Sequence, residues 1–293
     1  MTNEPTMAAP VVNPPAPAVS RPMRVVAVVS GKGGVGKTTV AVSLSLCAAQ
    51  RGLRVLLIDA DLGLANAQLM MGLHPRYHLG DVLSGAVDVQ DALVHGPHGM
   101  CMLSAGSGIQ HLSQLTMQDK QTLLAALDPV ADQFDVVFVD NASGIGDNVL
   151  FFCAASQQVV VVASPEPTSL TDAYSTIKVL SEQGGVRHFG VLVNMVAGEA
   201  RAREVFGRLT SVTRRFLKAN VNYLGHVPRD GRVHAAVMAQ KALVAMFPNT
   251  PAARALADVE VALISAPPPM PDGGLKLFLD RTLQESQPPN PAV

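Results

Sequence analysis

The chain has 293 residues, 48% hydrophobic and 15% charged, with a formal net charge of −1. That is enough apolar material for one large α/β domain with tails to spare, and the near-neutral balance leaves no global basic footprint for nucleic acid. No apolar stretch reaches the roughly 18 residues of a spanning helix, the N-terminus lacks the basic start and apolar core of a signal peptide, and Cys47, Cys101 and Cys153 stand far apart without metal spacing, as reduced core residues of a cytosolic protein do.

Residues 1–22 are rich in Pro and Ala and carry neither helical nor strand period, which predicts a disordered extension. The run Val25-Val26-Ala27-Val28-Val29 then reads as a buried strand, and a helical pattern starts at Val40. Between them lies Gly31-Lys32-Gly33-Gly34-Val35-Gly36-Lys37-Thr38-Thr39. Strand, glycine-rich loop and helix are the context of a P-loop, whose backbone N–H groups and helix start cradle phosphates. In such a loop Lys37 reaches the β- and γ-phosphates and the Thr38 hydroxyl sits on Mg²⁺. Lys32 adds a second cation where a plain P-loop leaves the position open. The residues alone also allow a solvated lysine at a loop edge.

The loop K-G-G-V-G-K-T resembles the deviant Walker A of the MinD/ParA class of ATPases. That resemblance implies an ATP/ADP site with Mg²⁺ and an ATP-dependent homodimer in which Lys32 crosses to the nucleotide of the facing subunit.

A second buried strand, Leu53 to Asp59, leads into Asp59-Ala60-Asp61-Leu62-Gly63-Leu64-Ala65-Asn66. Ligands meet doubly wound sheets at the carboxyl ends of strands. Asp59 and Asp61 are therefore expected beside Mg²⁺ and the attacking water, with Asp61 orienting that water. Either one can instead cap the next helix. D-L-G-L-A-N resembles switch I of one branch of the class, the flagellar-number regulators FlhG and FleN. Gly72-Leu73-His74-Pro75, the stretch His78 to Gly85 and the stretch Ser104 to Ile109 are similar to the same branch.

A short strand is expected at 99–104 and a helix at 117–132. Phe134 to Asp140 is a buried strand ending in an acid, a Walker B pattern in which Asp140 holds Mg²⁺. The loop from Asn141 to Asn148 resembles switch II, with Asn141 where the branch usually has Thr. A strand from Gln158 to Ala163 precedes Pro165-Glu166-Pro167, after which Thr168 or Ser169 can cap a helix. Strands at 187–193 and 221–227 end near Asn194 and at Pro228-Arg229-Asp230. In the MinD/ParA class an Asn and a Pro-x-Asp at these places recognise adenine, so the resemblance assigns Asn194, Pro228 and Asp230 to the base. Read from the residues alone, Asp230 can also be a helix N-cap and Asn194 a turn residue.

The helix at 199–218 places Arg201, Arg208 and Arg215 seven residues apart on one face, opposite a core stripe of Val205, Phe206, Leu209, Val212 and Phe216. The basic face is either solvated or a partner-docking face. A last helix runs to about Ile264, and a Pro-rich linker fills 266–274. Residues 275–285 form an amphipathic pattern with Leu275, Phe278, Leu279 and Leu283 on one stripe. It reads as a membrane-targeting helix like the anchors of MinD-class proteins, or as a helix docked on its own domain. Residues 286–293 are expected to be a disordered tail.

The expected fold is α/β, a three-layer αβα sandwich with a mainly parallel sheet, formed by residues 23–265. Resemblance to the FlhG/FleN branch implies a cytoplasmic switch, reversibly associated with the inner face of the cytoplasmic membrane, that controls flagellar number and placement. Its implied partners are the SRP-type flagellar GTPase FlhF, a flagellar transcription activator and basal-body or C-ring proteins. Nothing in residues 1–23 matches the D-Q-A-x-x-L-R motif that stimulates the partner GTPase in that branch. The alternatives are a ParA- or MinD-type partition or division-site ATPase, and an ATP-binding antiactivator of transcription with vestigial hydrolysis.

Overall fold

A computed structural model describes residues 23–62, 65–106 and 114–267. The expected extension at 1–22, nearly all of the linker and the amphipathic stretch at 275–285 lie outside the described residues. Among these residues eight strands form one sheet. They are β1 (Arg24–Ser30), β2 (Val55–Ala60), β3 (Val94–His95), β4 (Cys101–Leu103), β5 (Val136–Ser143), β6 (Gln158–Ala163), β7 (His188–Val196) and β8 (Asn220–Pro228). Their order is β3-β4-β2-β5-β1-β6-β7-β8, parallel throughout except for β3 against β4.

The helices are α1 (Lys37–Gln50), α2 (Leu79–Leu83), α3 (Val89–Ala92), α4 (Met117–Leu127), α5 (Asp147–Ala154), α6 (Pro167–Glu182), α7 (Glu199–Phe216), α8 (Gly231–Met238), α9 (Leu243–Met246) and α10 (Pro251–Ser265). Alternate residues of each central strand enter different cores, as period-two strands must. Val26, Val28, Leu57 and Phe138 pack with α1, α9 and α10 on one face. On the other face Ile58 and Val139 meet α4, while Ala27, Val29 and Val161 meet α6 and α7. Strands covered on both faces read as unbroken apolar runs, which is why they were visible in the sequence.

The connection from β1 goes to one side of the sheet and the chain later returns to the other side, so β1 sits where the winding reverses. Its carboxyl end is the place where doubly wound sheets open a crevice for ligands.

Several expectations need correction. The helix from 117 gives way at Asp128–Gln133 to a 3-10 turn, because Pro129 supplies no N–H for an α-helical bond. On α6 the N-cap is Glu166 with Pro167 first in the helix, so neither Thr168 nor Ser169 caps it; the Ser169 hydroxyl accepts from the Ser164 N–H at 2.9 Å. On α7 the buried stripe is Ala202, Val205, Leu209, Thr210 and Thr213. Val212 and Phe216 are exposed, Phe216 by 62%, because the stripe is rotated toward Thr213 and the helix ends at Phe216.

Two charged anchors were not anticipated. The Arg24 guanidinium donates to the carbonyls of Leu263 and Ala266 and ties the end of α10 to β1. Arg51, just past α1, donates to both carboxylate oxygens of the fully buried Glu260 on α10, at 3.0 and 2.9 Å.

Candidate active site

Residues 31–36 turn the chain from β1 back into α1. Gly34 and Gly36 take φ of 81° and 84°, which side chains with a Cβ rarely adopt. Gly31 is needed for packing instead: a Cβ there would lie 2.4 Å from the Asp172 carbonyl oxygen of α6. The loop borders an open cleft of about 620 Å³. Lys32, Gly33, Gly34, Gly36, Lys37, Thr38 and Thr39 line it, facing Asp61 and Asn66 after β2, Ser143 of β5, and Val237 and Gln240 around the end of α8.

At the floor of this region β2 and β5 lie in register with Asp59 opposite Asp140. The Lys37 ammonium donates to Asp140 Oδ1 at 2.6 Å, and both side chains are buried. Asp140 Oδ2 is buried with no hydrogen-bond partner among the described residues, and Thr38 lies beside the same carboxyl. Burial pushes the Asp140 carboxyl above its ordinary range, opposed by the Lys37 charge.

Asp59 departs from its expected place beside the metal. Its Oδ1 accepts from the Asp61 N–H at 3.1 Å, and its Oδ2 accepts from Asn66 and Ala67 at 3.1 and 3.0 Å. The carboxylate is turned into the loop after β2 and fixes its path, a loop-organising role of the kind Asp plays in turns. Burial first, and then the neighbouring Asp140, push its carboxyl up.

The donor set fits Mg²⁺. A hard cation takes oxygen ligands, and the Thr38 hydroxyl, the partnerless Asp140 oxygen and Asp61 at the cleft wall are all oxygen donors. Asp61 also lines a second pocket of about 400 Å³ with Gln114, Ser143, Asp147 and Asn148. It therefore stands between the cleft and a space of mixed polar and apolar lining that can hold water.

Lys32 stands at the cleft rim, 40% exposed, with its ammonium 2.7 Å from Glu166 Oε2 and 3.3 Å from the Thr168 hydroxyl. The Lys32 hydrogen bond holds the Glu166 carboxyl below its ordinary range. Glu166 was not singled out from the sequence. Its signal was its place immediately before Pro167, where a helix start faces the loop.

A cavity of about 320 Å³ adjoins the cleft, sharing Gly36, Thr39 and Val237 with it. Asn194, Pro228 and Asp230 all line this cavity. Asn194 Nδ2 donates to the Val35 carbonyl of the loop at 2.7 Å, and its Oδ1 accepts from the Met195 N–H at 2.9 Å. With one N–H given to the loop, Asn194 keeps one donor and one acceptor lone pair for a ligand. Asp230 is the N-cap of α8, accepting from Arg232 N–H through Oδ1 at 2.9 Å, while Oδ2 is buried and unpartnered. One oxygen of this carboxylate caps α8 and the other is left without a partner in the cavity wall.

The ParA family profile, described as "NUBPL iron-transfer P-loop NTPase", matches residues 21–264. The chain belongs to the ParA family of P-loop NTPases. Among relatives, the antiactivator FleN of Pseudomonas aeruginosa is 43% identical over 264 residues, covering 90% of this chain and 94% of that protein. The flagellum site-determining protein YlxH of Helicobacter pylori is 28% identical, covering 88% of this chain and 89% of that protein. The crystal structure of the cell division ATPase MinD from Pyrococcus furiosus matches with a TM-score of 0.70 at 25% identity, over 83% of this chain and 98% of that one.

ParA-family membership makes this chain a nucleotide-binding ATPase and accounts for the mainly parallel sheet. The profile's description mentions iron transfer; here Cys47, Cys101 and Cys153 are buried separately on α1, β4 and α5. Asn141, the switch II position that departs from the FlhG/FleN pattern, is fully buried and donates to the Val28 and Val139 carbonyls at 3.2 and 3.3 Å. It braces β5 and does not line the ATPase cleft. Away from the cleft, Arg201 and Arg208 both pair with Glu204, and the Arg215 guanidinium lies over the exposed Phe216 ring. No helix among the described residues is long and apolar enough to cross a membrane.

Proposed function

We propose that this ParA-family ATPase is a slow Mg·ATP switch that dimerises on ATP and regulates flagellar number and placement. The observation that carries the reading is a deviant P-loop lysine at the cleft rim in a chain 43% identical to FleN over nine-tenths of its length. Lys37 leaves Asp140 for the β- and γ-phosphates, and Lys32 exchanges Glu166 for the nucleotide of a facing copy. Asp59 holds the loop that positions Asp61, and Asp61 orients the attacking water from the adjoining pocket. Bound Mg²⁺, held by Thr38 and Asp140 with Asp61 nearby, would neutralise phosphate charge. Asn194, Pro228 and Asp230 take the adenine, whose amine meets the unpartnered Asp230 oxygen while Asn194 can donate or accept at the base edge.

The dimer state is coupled to binding of partners by differential affinity. Arg201, Arg208 and Arg215 on α7, beside Phe216, are the docking face for a flagellar transcription activator, FlhF or a basal-body or C-ring protein. The relative's designation as an antiactivator favours the transcription activator among these. Leu275, Phe278, Leu279 and Leu283 provide a weak apolar anchor to the inner face of the cytoplasmic membrane, strengthened when a dimer presents two copies.

The test is complementation. Expressed in a Pseudomonas aeruginosa strain lacking FleN, the chain should restore the flagella per cell counted with FleN present. A count equal to that of the deletion strain contradicts the flagellar role.

A further inference from the structure

Met195 follows Asn194 at the point where the pairing of β7 with β8 loses register, between Val193 and Val196. Its φ is 57°, in the left-handed region. Among the described residues only His98, Met195 and Gln240 do this without being glycine, and Met195 and Gln240 both border the nucleotide cavities. A left-handed turn is made most cheaply by Gly, then by Asn or Asp. Backbone strain of this kind clusters at ligand sites, where the surroundings over-determine it. A methionine here indicates a use for its side chain.

That side chain lines the cavity that adjoins the phosphate cleft. Its Cε stands 3.4 Å from where a Cβ on Gly36 would be, so the thioether end reaches the loop at the junction of the two spaces. The walls around it are largely aliphatic, including Val40, Val227, Val233 and Leu243, and its polar groups are Thr39, Asn194, Arg229, Asp230 and His234. We propose that Met195 is a base-binding residue, its thioether packing on the purine face while Asn194 and Asp230 meet the purine's edge. Sulfur packs favourably on aromatic rings, and an unbranched side chain adapts to a planar ligand. The proposal rests on the reading of this cavity as the base site.

The test is titration calorimetry of the full chain with Mg·ADP and with Mg²⁺ plus inorganic pyrophosphate, which shares the phosphates but lacks a base. Met195→Ala should bind ADP about three- to tenfold more weakly and pyrophosphate unchanged. Met195→Leu should recover most of the ADP affinity. Met195→Gly, which relieves the left-handed backbone, should lose as much as Met195→Ala. Equal losses for both ligands, no loss for either, or wild-type affinity in Met195→Gly would overturn the proposal. Wild-type protein binding ADP no better than pyrophosphate would overturn the base-site reading itself, and Met195 with it.

Discussion

Lys37 and Asp140 form a buried ion pair at 2.6 Å, with 7% and 1% of their side chains exposed, so the P-loop lysine rests on a carboxylate of β5. Removing one member of such a pair leaves an uncompensated buried charge, at a cost of about 3–5 kcal/mol. Lys37→Ala should therefore lower the unfolding free energy of the nucleotide-free protein by about 3 kcal/mol in urea melts. The double variant Lys37→Ala/Asp140→Asn should recover much of the loss. Equal stabilities for the single and double variants would show that the pair does not matter to the fold.

The same floor gives a pH dependence. Burial raises the Asp59 carboxyl from 3.8 to about 7 and raises Asp140 too. At Asp59 the folded protein holds a proton that the unfolded chain has released. The stability this proton contributes is fully present below about pH 4 and is lost as pH rises through about 7. Measured in EDTA, wild-type stability relative to Asp59→Asn should fall across that window, by at most about 1.4 kcal/mol per pH unit for each proton. A difference that stays constant from pH 4 to 7 would count against the raised carboxyls.

Much of this was legible in the sequence because it rests on local chemistry. The strand Gln158–Ala163 and the P-loop helix follow from apolar runs and glycine spacing, and β5 follows from its apolar run, although it continues past the expected end at Asp140 to Ser143. What the sequence hid is where each polar atom points. Asp59 and Asp61 are two residues apart and look alike, yet Asp59 is consumed by three loop N–H groups while Asp61 lines the cleft. Periodicity found Val205 and Leu209 of the α7 core stripe but also put Val212 and Phe216 in it, where helix rotation and the helix end leave them exposed. The Arg51–Glu260 and Lys32–Glu166 pairs join residues more than a hundred positions apart, beyond any local pattern.

Glu260 is fully buried and Arg51 is its partner. Arg51→Ala should cost about 3 kcal/mol by stranding the carboxylate, and Arg51→Ala/Glu260→Gln should cost clearly less. Thermal melts of the two variants check this. A single variant as stable as wild type would mean that water reaches Glu260.

Two loop glycines should behave differently. Gly31→Ala places a Cβ 2.4 Å from the backbone of α6 and should destabilise by about 1–3 kcal/mol. Gly33→Ala meets nothing nearer than the Ser143 hydroxyl at 3.8 Å and should leave stability unchanged. Chemical denaturation of both variants without nucleotide measures this difference, and matching midpoints would contradict the packing role of Gly31.

The nucleotide-gated dimer is tested most directly by light-scattering mass of Asp61→Ala, in which the proposed role of Asp61 predicts slow turnover, with Mg·ADP and with Mg·ATP. The account predicts the 30.7 kDa monomer with ADP and twice that mass, about 61 kDa, with ATP, and a Lys32→Ala/Asp61→Ala protein that stays at the monomer mass in both. A single mass for Asp61→Ala in both nucleotide states would contradict the switch and leave Lys32 as a residue that serves only its own subunit.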